Sequence, residues 1–147
     1  MDLLVRLRPG VPADRKFLWR LHCETMRDYV DGTWGWDEAW QRKRFEETFD
    51  LEALQIVEQD GEAIGMISIR RSMDEIFLAS IEIAPQWQKR GVATHLIRQL
   101  LAESDACGLP VTLQVLKVNP ARRLYERLGF VCSGETETHY RMRREPS

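Results

Sequence analysis

Residues 81–96, I-E-I-A-P-Q-W-Q-K-R-G-V-A-T-H-L, constrain this chain more than any other stretch, because an apolar strand end passes through a short loop into residues at helical spacing. Val92, Leu96, Ile97, Leu100 and Leu101 share one helical face, and Gly108-Leu109-Pro110 closes the run. The start of a helix leaves its first four N–H groups without intrahelical partners and carries roughly +0.5 of a charge, so anions dock there. Gly91 and Ala93 keep bulk out of the way, Lys89 and Arg90 add positive charge, and no acidic residue occurs between Ala84 and Ala102 to cancel them. The stretch reads as an anion site, or else as no more than a polar helix start.

The rest of the chain alternates between strand and helix patterns. Leu3, Val5 and Leu7 alternate with Leu4, Arg6 and Arg8, which predicts a strand over 3–8 that Pro9-Gly10 ends. Leu18, Leu21, Thr25 and Tyr29 predict a helix from about 12 to 30, with Pro12 near its start and Asp31-Gly32 as its stop. Asp37 is placed to cap a second helix carrying Trp40, Phe45 and Phe49. Gln59-Asp60-Gly61-Glu62 is a hairpin signal between strands over 53–58 and 63–70. A strand over 75–84, the alternation of Val111, Leu113 and Val115, a short helix with Ala121, Leu124, Tyr125 and Leu128 ended at Gly129, and strands over 130–136 and 138–144 complete the pattern. No repeat or linker interrupts it, so the reading is a single α+β domain over 1–147.

Composition narrows the function classes. A chain of 147 residues with 44% hydrophobic and 30% charged residues buries one core and lacks the signature of disorder. A net charge of −2 offers no global basic field for nucleic acid. No apolar run nears the roughly 20 residues of a membrane-spanning helix, and Arg6 and Arg8 interrupt the opening segment, so no membrane association is expected. Cys23, Cys107 and Cys132 are far apart with no C-x-x-C, which predicts reduced, buried thiols in a cytoplasmic protein. His22, His95 and His139 are equally scattered, and without ligand spacing no metal is expected.

Which anion fits is a question of motif. A P-loop needs G-x-x-x-x-G-K-[ST] and a dinucleotide site needs G-x-G-x-x-G after an early strand; neither is present. Gln88-Lys89-Arg90-Gly91-Val92-Ala93 instead reads Q-x-x-G-x-A. Downstream, L-Q-V-L-K-V-N-P-A-R-R-L-Y-E-R-L-G-F sets Asn119 at a strand end and Tyr125 in the following helix, ahead of Leu-Gly-Phe. The two motifs, in this order and separated by one helix and one strand, resemble the cofactor site of the GCN5-related N-acetyltransferases (GNAT). The resemblance extends from Leu3 to Met142. It implies a mixed, mostly antiparallel sheet of six to seven strands with about four helices packed on both faces, and acetyl-CoA as cofactor.

The same resemblance implies roles. Gln88, Lys89, Arg90, Gly91, Val92, Ala93 and Thr94 would hold the pyrophosphate, and the main chain of Ile81 and Ile83 would pair with the pantetheine arm as if it were an added strand. Asn119 and Ala121 would meet that arm from the start of the short helix, although Asn119 is equally suited to cap it. Tyr125 would lie near the leaving sulfur as a general acid, or simply pack beside Leu124 and Leu128. A thiol near 8.5 is a stronger acid than a phenol near about 10, so the hydroxyl mainly offers a hydrogen bond. None of the cysteines lies in either motif and no G-x-S-x-G elbow exists, which points to direct attack by an amine in a ternary complex.

The attacking amine has to be neutral. An alkylamine of pKa about 10.4 costs roughly 4.6 kcal/mol to deprotonate at about pH 7, whereas an α-amine costs about 1 kcal/mol. Glu82, flanked by Ile81 and Ile83 and on the opposite face of that strand, is the first candidate base, with Glu75 second; the plainer reading is a solvated or salt-bridged Glu82, with a base acting through water as a further alternative. By the resemblance, the acceptor pocket is built from the loop between the first two helices together with the late strands, which offers Tyr29, Trp34, Trp36 and His139 as its lining or as core packing. Residues 1–83 carry a net −6 and residues 84–130 a net +4, so the positive excess coincides with the anion site. Glu24, Asp28, Asp31, Asp37 and Glu38 around the acceptor loop favour a cationic small-molecule or peptide amine. Three function classes remain: an N-acetyltransferase, monomeric or homodimeric; a non-catalytic acyl-CoA-binding or regulatory module of the same fold; and a nucleotide-phosphate enzyme, which would bind ATP more tightly than coenzyme A.

Overall fold

The computed structural model describes residues 5–48 and 50–147; Leu3, Leu4 and Phe49, assigned above to the first strand and second helix, lie outside the described residues. In chain order the elements are β1 (Val5–Pro9), α1 (Arg15–Trp34), α2 (Glu38–Thr48), β2 (Leu54–Gln59), β3 (Glu62–Arg71), β4 (Ile76–Ile83), α3 (Val92–Cys107), β5 (Val111–Leu116), α4 (Arg122–Arg127), β6 (Val131–Glu135) and β7 (His139–Arg144). The seven strands form one mixed sheet in the order β1-β2-β3-β4-β5-β7-β6. Strands β4 and β5 run parallel; β1–β2, β2–β3, β5–β7 and β6–β7 run antiparallel. The chain divides into two compact units, one of Met1–Ser68 with Ser80–Val92 and one of Ile69–Ala79 with Ala93–Ser147.

In the first unit, Asp60 and Gly61 both take positive φ, 50° and 81°, and make the two-residue turn whose twist suits the β2–β3 hairpin. Leu18 and Leu21 of α1 pack with Leu54, Ile56, Met66 and Ala84, and burial of each large side chain contributes roughly 1.5–3 kcal/mol. Arg8 forks onto Asp14 with two contacts of 2.8 Å and reaches Glu58 at 2.9 Å, which ties the start of α1 to β1 and β2. Asp37 caps α2 as its position suggests, accepting from Trp40 N–H at 3.0 Å.

The stop assigned to Asp31-Gly32 is overturned: α1 runs through both residues to Trp34. A glycine inside a helix costs only about 1 kcal/mol, too little to end one this well buried. The terminator is Gly35, at φ 85°, whose N–H donates to Asp31 O at 3.1 Å while Asp31 Oδ1 accepts from Trp36 N–H at 3.0 Å.

In the second unit, β4 pairs with β5 from Ile76–Val111 to Leu78–Leu113, and β5 with β7 from Val111–Arg144 to Leu116–His139. Fully buried Ser104 donates from Oγ to Leu109 O at 2.5 Å where α3 ends, and Gly108 supplies the left-handed residue beyond it at φ 75°. Gly129, at φ 95°, ends α4 as predicted. The three cysteines are free, but the expectation that all are buried fails: Cys107 and Cys132 are exposed and Cys23 is half-buried. Cys107 is the last residue of α3 and Cys132 lies on the edge strand β6, both at the periphery of their elements.

Candidate active site

The anion loop begins where β4 ends. Ala84 N–H donates to Ile64 O at 2.8 Å, and a short 3-10 turn over Pro85–Trp87 follows. Gln88 then folds back, its Nε2 donating to Ile83 O at 2.9 Å. This side chain thus braces the loop against the strand, and it engages the Ile83 carbonyl that the sequence reading assigns to pantetheine.

Lys89 and Gly91 are both left-handed, at φ 62° and 84°. For lysine that conformation costs of order 1–2 kcal/mol, and such strain is retained where a turn has to hold backbone N–H groups at a set place. The chain then enters α3 through Val92, which is buried, and Ala93 and Thr94, which are half-buried. Arg90 is steadied by Trp87, its guanidinium 5.0 Å from the ring centroid. Tight left-handed turns, two exposed cations and a helix start suit a diphosphate.

Two residues before the loop, Glu82 is 9% exposed and is not the solvated carboxylate of the plainer reading. Its Oε2 lies 3.2 Å from His22 Nδ1, and His22 Nε2 lies 3.4 Å from Oε1 of Gln41, which is itself buried. Trp19 and Trp36 flank the imidazole at 6.1 and 6.0 Å between ring centroids. Arg42 covers Trp19 at 5.3 Å and Arg27 covers Trp36 at 5.7 Å. Burial pulls the His22 pKa down, but the hydrogen bond and negative charge of Glu82, with the contact to Gln41, outweigh it and leave the ring above its ordinary value.

His22, Gln41 and Trp19 are absent from the sequence-based site. Their only local trace is the i, i+3 spacing of Trp19 and His22 beside core residues Leu18 and Leu21. Of the aromatic lining proposed for the acceptor, Trp36 joins this cluster, Tyr29 is half-buried on α1, and Trp34 is 60% exposed.

In the second unit, Asn119 N–H donates to Leu116 O and its Oδ1 accepts from Ala121 N–H, each at 2.9 Å, so the residue shapes the entry to α4. Tyr125 is buried edge-on to Phe130 at 5.8 Å, and burial pushes its hydroxyl up to about 12. His139 Nδ1 meets Thr138 Oγ1 at 2.8 Å, and burial lowers its pKa. Glu75, the second candidate base, accepts from Thr112 Oγ1 at 2.8 Å and precedes β4, whereas Glu82 lies near the end of that strand. Among the described residues no group of three or more His, Cys, Asp or Glu is arranged to hold a metal ion, and no helix is long and apolar enough to cross a membrane.

Comparison with known proteins bears on this arrangement. The family model described as Acetyltransferase (GNAT) family matches residues 16–130. Over 57 residues the chain is 35% identical to the cysteine-rich protein 2-binding protein of Mus musculus and of Homo sapiens, a segment that is 39% of this chain and 7% of that protein. Among solved structures, an acetyltransferase from Thermus thermophilus matches with a TM-score of 0.77 at 18% identity over 99% of both chains. The PaiA N-acetyltransferase from Thermoplasma acidophilum in complex with coenzyme A matches with a TM-score of 0.76 at 14% identity, again over 99% of both.

Proposed function

The chain belongs to the acetyltransferase (GNAT) family and takes acetyl-CoA as its acyl donor, and from that premise we propose that it is a single catalytic domain over 1–147 that acetylates a primary amine by direct attack in a ternary complex. The observation that carries the reading is a buried carboxylate, Glu82, near the end of the strand that feeds the anion loop. Acetyl-CoA, when bound, supplies an activated acyl carbonyl that a neutral amine can attack. Lys89, Arg90, the backbone of Gly91 and the first-turn N–H groups of Val92, Ala93 and Thr94 hold the pyrophosphate. Ile81 offers main-chain groups to the pantetheine arm, and Asn119, whose oxygen is committed to Ala121, offers its amide N–H.

Glu82 is the group that takes the proton from the amine. Tyr125 keeps its own proton: a hydroxyl at about 12 is too weak an acid to protonate a thiolate, so it donates a hydrogen bond to the departing sulfur. The acidic residues around the loop after α1 draw a cationic small-molecule or peptide amine toward this face of the first unit. Incubating the protein with acetyl-CoA and a panel of alkylamines, polyamines and peptide N-termini, with free thiol as the readout, tests the reading. Amine-dependent thiol release supports it; tight coenzyme A binding with no release for any amine identifies a non-catalytic binding module instead.

A further inference from the structure

His22 has no role in the reading above, yet it is the residue that Glu82 touches. We propose that His22 is the positioning and proton-storing partner of Glu82, receiving the proton of the acceptor amine through that carboxylate and setting the pH range in which the protein is competent. The proposal rests on Glu82 as the base and extends it to a second residue.

The geometry sets an acceptor against each ring nitrogen. Nδ1 faces Glu82 Oε2 at 3.2 Å and Nε2 faces Gln41 Oε1 at 3.4 Å, so the imidazolium, with a proton on each nitrogen, is the form that satisfies both contacts. A neutral ring whose Nε2–H stays on Gln41 leaves the Nδ1–Glu82 contact without a proton, and the pair gains by taking one up. Gln41 is buried and Trp19 and Trp36 flank the ring, so the ring's orientation is held by packing. The charged group that acts on the ring is Glu82 from β4; Glu38 and Arg42 from α2, Arg27 from α1 and Glu82 act on the adjoining Cys23. The two guanidiniums lie against the tryptophan faces, which leaves Glu82 as the charge in contact with the imidazole.

The proton balance is simple. The ammonium N–H bond breaks as an O–H bond forms on Glu82, and the proton passes along the 3.2 Å contact to Nδ1. The products are carboxylate, imidazolium and a neutral amine that keeps its lone pair for attack. An imidazole is ordinarily a stronger base than a carboxylate, so storing the proton on His22 favours its removal from the amine. The raised pKa of His22 adds to that margin. The side chain is 26% exposed, enough to return the proton to water afterwards.

The test begins with the protein free of substrate. The chain has three histidines, so an NMR pH titration assigns His22 with the help of His95→Gln and His139→Gln. Its midpoint is expected above about 6.5 and falls in Glu82→Gln. In steady-state kinetics, kcat/KM rises with pH at that same midpoint; His22→Gln loses this limb and its kcat falls roughly 10–100-fold, while KM for acetyl-CoA changes by less than about 2-fold. A His22 midpoint unmoved by Glu82→Gln overturns the proposal without any His22 variant having to fold. A limb that persists in His22→Gln, with Glu82→Gln inactive, overturns the relay alone. Turnover unchanged in Glu82→Gln overturns the base assignment and the relay with it.

Discussion

Replacing Gly65 by alanine tests how Glu82 is held. A Cβ at this position would lie 2.5 Å from Glu82 O, 2.9 Å from Ile83 Cδ1 and 3.3 Å from Ile83 Cα. The Ile83 methyl can rotate away, but the Glu82 carbonyl and the Ile83 Cα are backbone. Restoring ordinary contact with the carbonyl requires β3 and β4 to part by about 0.5–0.9 Å. Overpacking of this kind costs about 1–3 kcal/mol. At roughly 2–4 °C per kcal/mol for a chain of this size, Tm falls by about 2–12 °C. The larger effect is on chemistry, since a displacement of about 1 Å at a reacting group can cost 100-fold; kcat should fall by about 10-fold or more. Calorimetry and steady-state kinetics on Gly65→Ala measure both. Gly134→Ala is the control, because its added Cβ meets nothing nearer than Arg141 Cδ at 3.8 Å. A Gly65→Ala protein with wild-type kcat and Tm within about 1 °C would show that the β3–β4 contact does not position Glu82.

Three further outcomes follow from named groups. Gly91→Glu places a side chain and a negative charge at a left-handed residue of the anion loop, so coenzyme A binding by calorimetry is lost; retained binding would show that the loop is misassigned. Tyr125→Phe removes the hydroxyl from a buried ring, lowering kcat by about 10-fold or more with coenzyme A affinity intact, and equal kcat would remove Tyr125 from the chemistry. Because the folded pKa of His22 lies above the unfolded value near about 6.5, its contribution to stability is fully present below that pH and is lost as pH rises through the folded value. The Tm advantage of wild type over His22→Gln should therefore shrink between about pH 6 and pH 9, and an advantage that grows over this range contradicts the pairing.

Local features were legible in the sequence because their causes are local. The Asp37 cap, the Asp60-Gly61 turn, the Gly129 terminator and the 88–94 loop each depend on a few neighbouring residues. Where two nearby signals compete, position in the sequence does not rank them: Gly32 reads like a helix stop, but the left-handed residue is Gly35. The cluster at Glu82 is of another kind. His22 comes from α1, Gln41 from α2 and Glu82 from β4, and the contact between His22 and Glu82 joins residues 60 positions apart. On α2, Gln41 is the buried residue, so no apolar stripe marks the inward face. Gly65 is silent for the same reason, since what forbids a side chain there is the carbonyl of Glu82 on another strand.

The most direct measurement follows the acetyl group itself. A single turnover with isotope-labelled acetyl-CoA and a reactive amine, quenched and resolved by mass spectrometry, reports where the label resides. Direct transfer predicts labelled N-acetylamine and free coenzyme A in equal amounts, with the intact mass of the protein unchanged at every time point. Label held on the protein before it reaches the amine, or coenzyme A released at the same rate without any amine, would contradict the account.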